Sequence, residues 1–178
     1  MPRQLRPRSA PIARAKASAP AEWLHLDRQL CFALYSSSLA MTKLYKPLLE
    51  PLGLTYPQYL ALLVLWERDG LGVNELGERL FLDSGTLTPL LKRIEAAGWV
   101  QRERDRADER RVVVSLTAEG RALRKQAQTV PPQVARASGC SAPELAELTL
   151  RLQRLRDQML APSSHPSPTD AVPPASAH

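Results

Sequence analysis

The sequence predicts a mainly α fold built on one compact core, and three observations carry that reading. Between two proline-rich ends, apolar residues recur with a period near 3.6 and not 2. The segments so defined have ordinary helix length. Late in the chain two strand-like runs flank a charged tip. A chain of 178 residues, 44% hydrophobic and 5% aromatic, has material for one such core and one domain.

The elements follow in order. Leu26, Leu30, Ala33 and Leu34, continued through Leu44, form the stripe of a first amphipathic helix, disturbed near Pro47 and ended around Pro51 to Gly53. Thr55 and Gln58 have capping-box spacing, so a second helix starts there and runs to about Asp69. Asp69-Gly70-Leu71-Gly72 supplies a turn, and Val73, Leu76 and Leu80 give a short third helix. In a fourth helix, Leu87, Leu90, Leu91 and Ile94 stand at i, i+3, i+4 and i+7, a single buried stripe. Pro89 is costly inside a helix, which moves the expected N-terminus of this one toward Thr86. Gly98 ends it, and Trp99 to Arg102 and Arg111 to Leu116 read as strands around the tip Glu103 to Arg110. In the last helix Leu145, Leu148, Leu152, Leu155 and Met159 alternate spacings of 3 and 4, the pattern of a seam between two chains; the competing reading is a stripe packed within one chain.

Charge and composition exclude several function classes. The net charge of +6 is unevenly spread: residues 1–20 carry five bases and no acid, residues 161–178 carry one acid, and the remaining 140 residues carry a net of only +2. The two ends also hold nine of the sixteen prolines, with Ala and Ser filling most of the rest, a composition that cannot offset the entropy of ordering. Residues 1–20 are therefore expected to be a disordered basic arm, 21–160 the folded domain and 161–178 a disordered tail. Arg3, Arg6, Arg8, Arg14 and Lys16 give the arm a transit-peptide flavour, but no secretory h-region follows. The longest apolar run, Leu60 to Trp66, is seven residues against the roughly 20 that cross a bilayer, so no membrane is expected as a partner and the cytoplasm is the expected location. Two cysteines, Cys31 and Cys140, cannot staple a secreted scaffold or build a four-thiolate metal site.

The fourth helix turns Gly85, Pro89, Lys92 and Ala96 outward, flanked by Thr86, Thr88 and Arg93. Small residues let a helix backbone approach a large surface, and hydroxyls and cations contact phosphates and base edges, which suits a DNA groove. A merely solvated face is the alternative. The hairpin tip carries Arg104, Arg106 and Arg110, cations suited to a narrow minor groove, nearly neutralised by Asp105, Asp108 and Glu109. The order of elements decides for DNA: short helices, a recognition-like helix and a hairpin make a winged helix-turn-helix, with a DNA-binding lobe at about 55–116 and dimerisation helices at about 22–52 and 117–160.

The fragments Leu26-Asp27-Arg28-Gln29-Leu30-Cys31-Phe32-Ala33-Leu34-Tyr35-Ser36, Leu54-Thr55-Tyr56-Pro57-Gln58-Tyr59, Leu82 to Arg93, Asp108-Glu109-Arg110-Arg111 and Leu116-Thr117-Ala118-Glu119-Gly120 resemble the organic-hydroperoxide-responsive regulators, OhrR, of the MarR family. The resemblance spans roughly residues 24 to 160. It implies a homodimeric repressor on double-stranded, pseudo-palindromic operator DNA, with equivalent helices about 34 Å apart. Ser84, Thr86, Thr88, Lys92 and Arg93 would then serve the major groove and Arg104, Arg106 and Arg110 the minor groove. It also implies an ion pair of Asp83 with Arg110, with Asp108, bracing the wing.

By the same resemblance Cys31 is the redox-sensing thiol, organic hydroperoxide is the inducer, and Tyr45 and Tyr56 stabilise the thiolate; Tyr35, at i+4, is a nearer neighbour. On residue type alone, a free cysteine is more often an inert hydrophobe. Donated hydrogen bonds would lower the thiol pKa from about 8.5. On one straight helix Tyr45 lies 14 residues from Cys31, about 21 Å, so the two cannot meet within a chain and the sensor must be shared between subunits. Phe32 and Leu34 favour an apolar peroxide. Cys140 sits among small residues, just before a second capping box, Ser141 to Glu144. The resemblance makes it the resolving thiol, joined to Cys31 of the other subunit after oxidation. No enzyme activity, cofactor or metal is expected, since no CxxC, metal-ligand cluster or nucleotide loop is present. The rivals are a thiol peroxidase, an architectural DNA-binding protein and a MarR regulator of a non-covalently bound phenolic ligand, the last being the strongest.

Overall fold

The computed structural model describes residues 24–105, 108 and 110–161. The expected disordered arm, most of the expected tail and Arg106 of the wing lie outside the described residues. A 3-10 turn at Leu26–Arg28 precedes α1 (Leu30–Leu49), so the first helix starts later than its apolar stripe suggested and passes through Pro47. A 3-10 turn, Glu50–Leu52, and Gly53 at φ 67° then end it. The left-handed cap lets the Leu54 N–H return to the Leu49 carbonyl at 3.1 Å.

α2 (Tyr56–Glu67) begins at the expected capping box, with the Thr55 N–H donating to Gln58 Oε1 at 2.8 Å. It is the core helix, burying Tyr59, Ala61, Leu62, Val64, Leu65 and Trp66. The turn read at Asp69 to Gly72 also contains a strand, β1 (Leu71–Gly72), before α3 (Val73–Leu80). α4 (Ser84–Ala96) buries Leu87, Leu90, Leu91 and Ile94, the stripe its periodicity predicts. Its N-terminus does not retreat to Thr86. Asp83 is the N-cap, accepting from the Thr86 N–H at 2.9 Å, and Pro89 stands inside the helix.

The wing consists of β2 (Val100–Arg104) and β3 (Val112–Leu116), antiparallel, with β1 on the other side of β3. Arg102 pairs with Val114, and Leu71 pairs with Val114 from the other side. α5 (Ala118–Ala127) is held to the base of the wing at its first turn. The Thr117 hydroxyl donates to the Gly98 carbonyl at 2.7 Å and accepts from the Gly120 N–H at 3.0 Å, while buried Trp66 Nε1 donates to the Gly120 carbonyl at 2.9 Å. A Cβ at Gly120 would lie 2.0 Å from the Trp99 carbonyl oxygen, which explains why glycine stands there. Asp69 ties the same junction, accepting from the Leu116 N–H and from Arg121, each at 2.8 Å.

The chain divides into two compact units, one ending at Arg124 and the other starting at Lys125. The second holds α6 (Val130–Ser138), with prolines at its first positions, and α7 (Ala142–Leu160), which begins at the expected capping box, Ser141 N–H to Glu144 Oε2 at 2.8 Å. No residue of α7 is buried; Leu148, Leu152 and Met159 of its apolar seam are exposed. Among the described residues, no single helix is long and apolar enough to cross a membrane.

Candidate nucleic-acid interface and thiol sensor

α4 sorts its side chains cleanly. Ser84, Thr86, Thr88, Lys92 and Arg93 are exposed, on the sides of the helix away from the buried leucines. Asp83 is spent locally: both of its oxygens accept from Thr86, from the N–H at 2.9 Å and the hydroxyl at 3.0 Å, and these bonds hold its carboxyl below the usual carboxylate range. Among the described residues it makes no ion pair with Arg110, so the brace expected between them is not formed. Arg110 and Asp108 instead shape the tip, the Arg110 N–H donating to Asp108 Oδ1 at 3.0 Å. Arg104 and Arg110 are exposed.

A different pair links the wing to α4. The Glu95 carboxylate accepts from the Arg102 N–H at 3.1 Å and from its Nε at 2.9 Å, and the guanidinium holds the Glu95 carboxyl below its ordinary range. Periodicity does not reveal this contact, because it runs from a helix to a strand. An acid in the last turn of a helix was the available signal, since that end favours cations. A cavity of about 850 Å³ lies between α3, α4 and the wing, with Thr88, Leu91, Arg102, Arg110 and Arg111 on its walls.

The thiol and the tyrosines lie at opposite ends of α1. Cys31 is exposed in the first turn and Tyr35, one turn on, is also exposed, at 61%. α1 is an unbroken helix from Leu30 to Leu49, so Tyr45 lies about 21 Å along it from Cys31. Tyr45 and Tyr56 are brought together, with ring centroids 4.6 Å apart, and Tyr59 is 5.8 Å from Tyr45. Tyr59 went unsingled in the sequence, although it follows Tyr56 by three residues and shares its helix face. Burial, with Tyr56 and Tyr59 alongside, pushes the Tyr45 phenol up to about 12; burial also raises Tyr56. These hydroxyls therefore stay protonated near neutral pH and remain hydrogen-bond donors. A largely apolar cavity of about 450 Å³ opens beside them, walled by Thr42, Lys43, Lys46, Leu54, Tyr56 and Pro57.

Cys140 lies half-buried between Gly139, the left-handed cap of α6 at φ 70°, and Ser141, the N-cap of α7. Its thiol contacts the Ser138 carbonyl at 3.7 Å. Both cysteines are free thiols, one in each unit.

The helix pair α3–α4 followed by the β2–β3 hairpin defines a winged helix-turn-helix protein. A model of the transcriptional regulator SarA/Rot family matches residues 43–126. The chain is 52% identical over 136 residues to the HTH-type transcriptional regulator TtmR of Methylorubrum extorquens, covering 76% of this chain and 70% of that one. It is 49% identical over 136 residues to the organic hydroperoxide resistance transcriptional regulator of Bacillus subtilis, covering 76% and 92%. It is also similar to AbfR, a protein of Staphylococcus epidermidis, solved reduced and bound to DNA (36% identity, TM-score 0.62, 79% of this chain and 99% of that one) and in a disulfide-formed state (39%, TM-score 0.53, 76% and 95%). The chain belongs to the MarR family of transcriptional regulators, in the branch of the organic hydroperoxide regulators.

Proposed function

We propose that this protein is a homodimeric repressor that binds operator DNA and releases it when an organic hydroperoxide oxidises Cys31. α4 enters the major groove with Ser84, Thr86, Thr88, Lys92 and Arg93, and the wing brings Arg104, Arg106 and Arg110 to the minor groove. The single observation that carries the sensor is the packed Tyr45–Tyr56 pair at one end of a helix whose other end bears an exposed thiol. In a dimer with antiparallel α1 helices, Cys31 meets Tyr45 and Tyr56 of the partner subunit, and two phenol donors stabilise its thiolate.

The thiolate attacks the terminal peroxide oxygen and the O–O bond breaks. The alkoxide takes up a proton and leaves as alcohol, so that two electrons pass from sulfur to peroxide and Cys31 becomes a sulfenic acid. The Cys140 thiol of the partner subunit then attacks that sulfur, an S–S bond forms, and water leaves. Closing the bridge requires Cα atoms within about 7 Å, and the movement that achieves this displaces the winged lobes from DNA. The similarity to a hydroperoxide regulator and to AbfR, solved in both reduced and disulfide-formed states, supports this reading.

The test titrates reduced wild type, Cys31→Ser and Cys140→Ser with cumene hydroperoxide while operator binding is followed by fluorescence anisotropy, with a non-reducing gel alongside. Wild type is expected to release DNA with a covalent dimer band, and Cys31→Ser to do neither. Release by Cys140→Ser without a disulfide would remove Cys140 from the switch. A second reading rests on the cavity beside Tyr56: a non-covalent phenolic ligand is the inducer, and Cys31→Ser then responds as wild type does.

A further inference from the structure

Glu95 is at odds with the helix that carries it. In the last turn of α4 its carboxylate faces the negative end of the helix dipole, where a cation is favoured. Its environment is nonetheless specific. One residue of the wing gives it three hydrogen bonds, from the Arg102 N–H to Oε1 and from Nε and Nη2 to Oε2. Both side chains are partly shielded, with 25% of Arg102 and 34% of Glu95 exposed. β2 is an edge strand of the sheet β1–β3–β2, so the bond to the Arg102 N–H also takes up a backbone group at that edge.

We propose that Glu95 is a positioning residue for DNA recognition: it fixes the wing against the recognition helix, so that sequence discrimination depends on a carboxylate that touches no base. The proposal rests on the DNA-binding reading above. Arg104 lies two residues beyond Arg102, and residues two apart on a strand project to the same face, so anchoring Arg102 sets the direction from which Arg104 reaches the duplex. Thr88, on the same helix as Glu95, lines one cavity with Arg102 and Arg110. A fixed angle lets both grooves be read in a single pose. Without the clamp the wing keeps its cations, and hence its phosphate attraction, but loses its register.

The experiment uses the full-length reduced protein and a duplex that the wild type enriches from a random-sequence library. Hydroxyl-radical footprinting locates the wing contacts, and two variant duplexes are made, one altered under the wing and one altered in the major-groove half-site. Wild type is expected to lose about tenfold affinity on each, the worth of one good base contact. Glu95→Ala is expected to keep the major-groove discrimination and the affinity for unselected DNA, while its discrimination under the wing falls to about twofold or less. Glu95→Gln still accepts from the Arg102 N–H and is expected to lie between; it provides the readout if Glu95→Ala loses its helical circular dichroism. Equal weakening on all duplexes would mark Glu95 as a general stabiliser and overturn the proposal, as would wild-type discrimination under the wing. If the wild type enriches no duplex, the DNA-binding reading falls and this inference with it.

Discussion

α2 and α7 make opposite use of their apolar residues. Seven of the twelve residues of α2 are buried, Tyr59, Leu62 and Leu65 almost completely, whereas none of the nineteen residues of α7 is buried and Leu148, Leu150, Leu152, Met159 and Leu160 stand exposed. α1 behaves like α7 over most of its length, burying only Leu49 and exposing Leu30, Tyr35 and Leu39. α2 spends its apolar residues on the core of its own unit, whereas α1 and α7 each leave most of theirs unburied. These exposed apolar residues lie on the helix that carries Cys31 and on the helix that follows Cys140.

The contrast can be broken by substitution. Leu62→Ala in α2 removes a fully buried side chain and is expected to cost about 2–5 kcal/mol in urea unfolding. Next comes Gly120→Ala, for which the Trp99 carbonyl leaves no space; the overpacking is expected to cost about 1–3 kcal/mol, with tryptophan fluorescence reporting the disturbance around Trp66 and Trp99. Leu152→Arg in α7 is expected to shift the unfolding midpoint only at concentrations where subunits associate, and to convert a two-chain sedimentation mass to one. A one-chain mass for wild type would break the comparison itself.

The smallest effect is alkaline. The Tyr45 phenol is raised to about 12 in the folded chain, above its unfolded value near 10, so its contribution is complete below pH 10 and is lost as pH rises from 10 through 12. Tyrosinate absorbance of Tyr45→Phe is expected to lack the most alkaline component of the wild-type titration. An unchanged curve would place that phenol in water.

The sequence carried the helical stripes well because a 3.6 period is a local property: Leu87, Leu90, Leu91 and Ile94 are buried as their spacing requires. Both capping boxes were also legible, since each spans only four residues. α4 starts at Ser84 and not nearer Thr86 because the cap that Asp83 provides offsets the cost of Pro89 inside the helix. The same carboxylate accepts from Thr86 and makes no ion pair with Arg110 among the described residues. β1 is two residues long and becomes a strand only by pairing with β3 more than forty residues later. Glu95 and Arg102 meet across a turn between unlike elements, beyond the reach of any single periodicity. The tyrosine pair was legible only through family resemblance, because Tyr45 and Tyr56 are joined by the bend at Gly53.

The length of α1 has a genetic consequence. If each sensor takes its thiol from one subunit and its phenols from the other, a dimer of a Cys31→Ser chain with a Tyr45→Phe/Tyr56→Phe chain has one sensor that lacks everything and one that is entirely wild type. Two alleles, each deaf to peroxide alone, would complement one another when expressed together, which a thiol and phenols drawn from a single chain could never do.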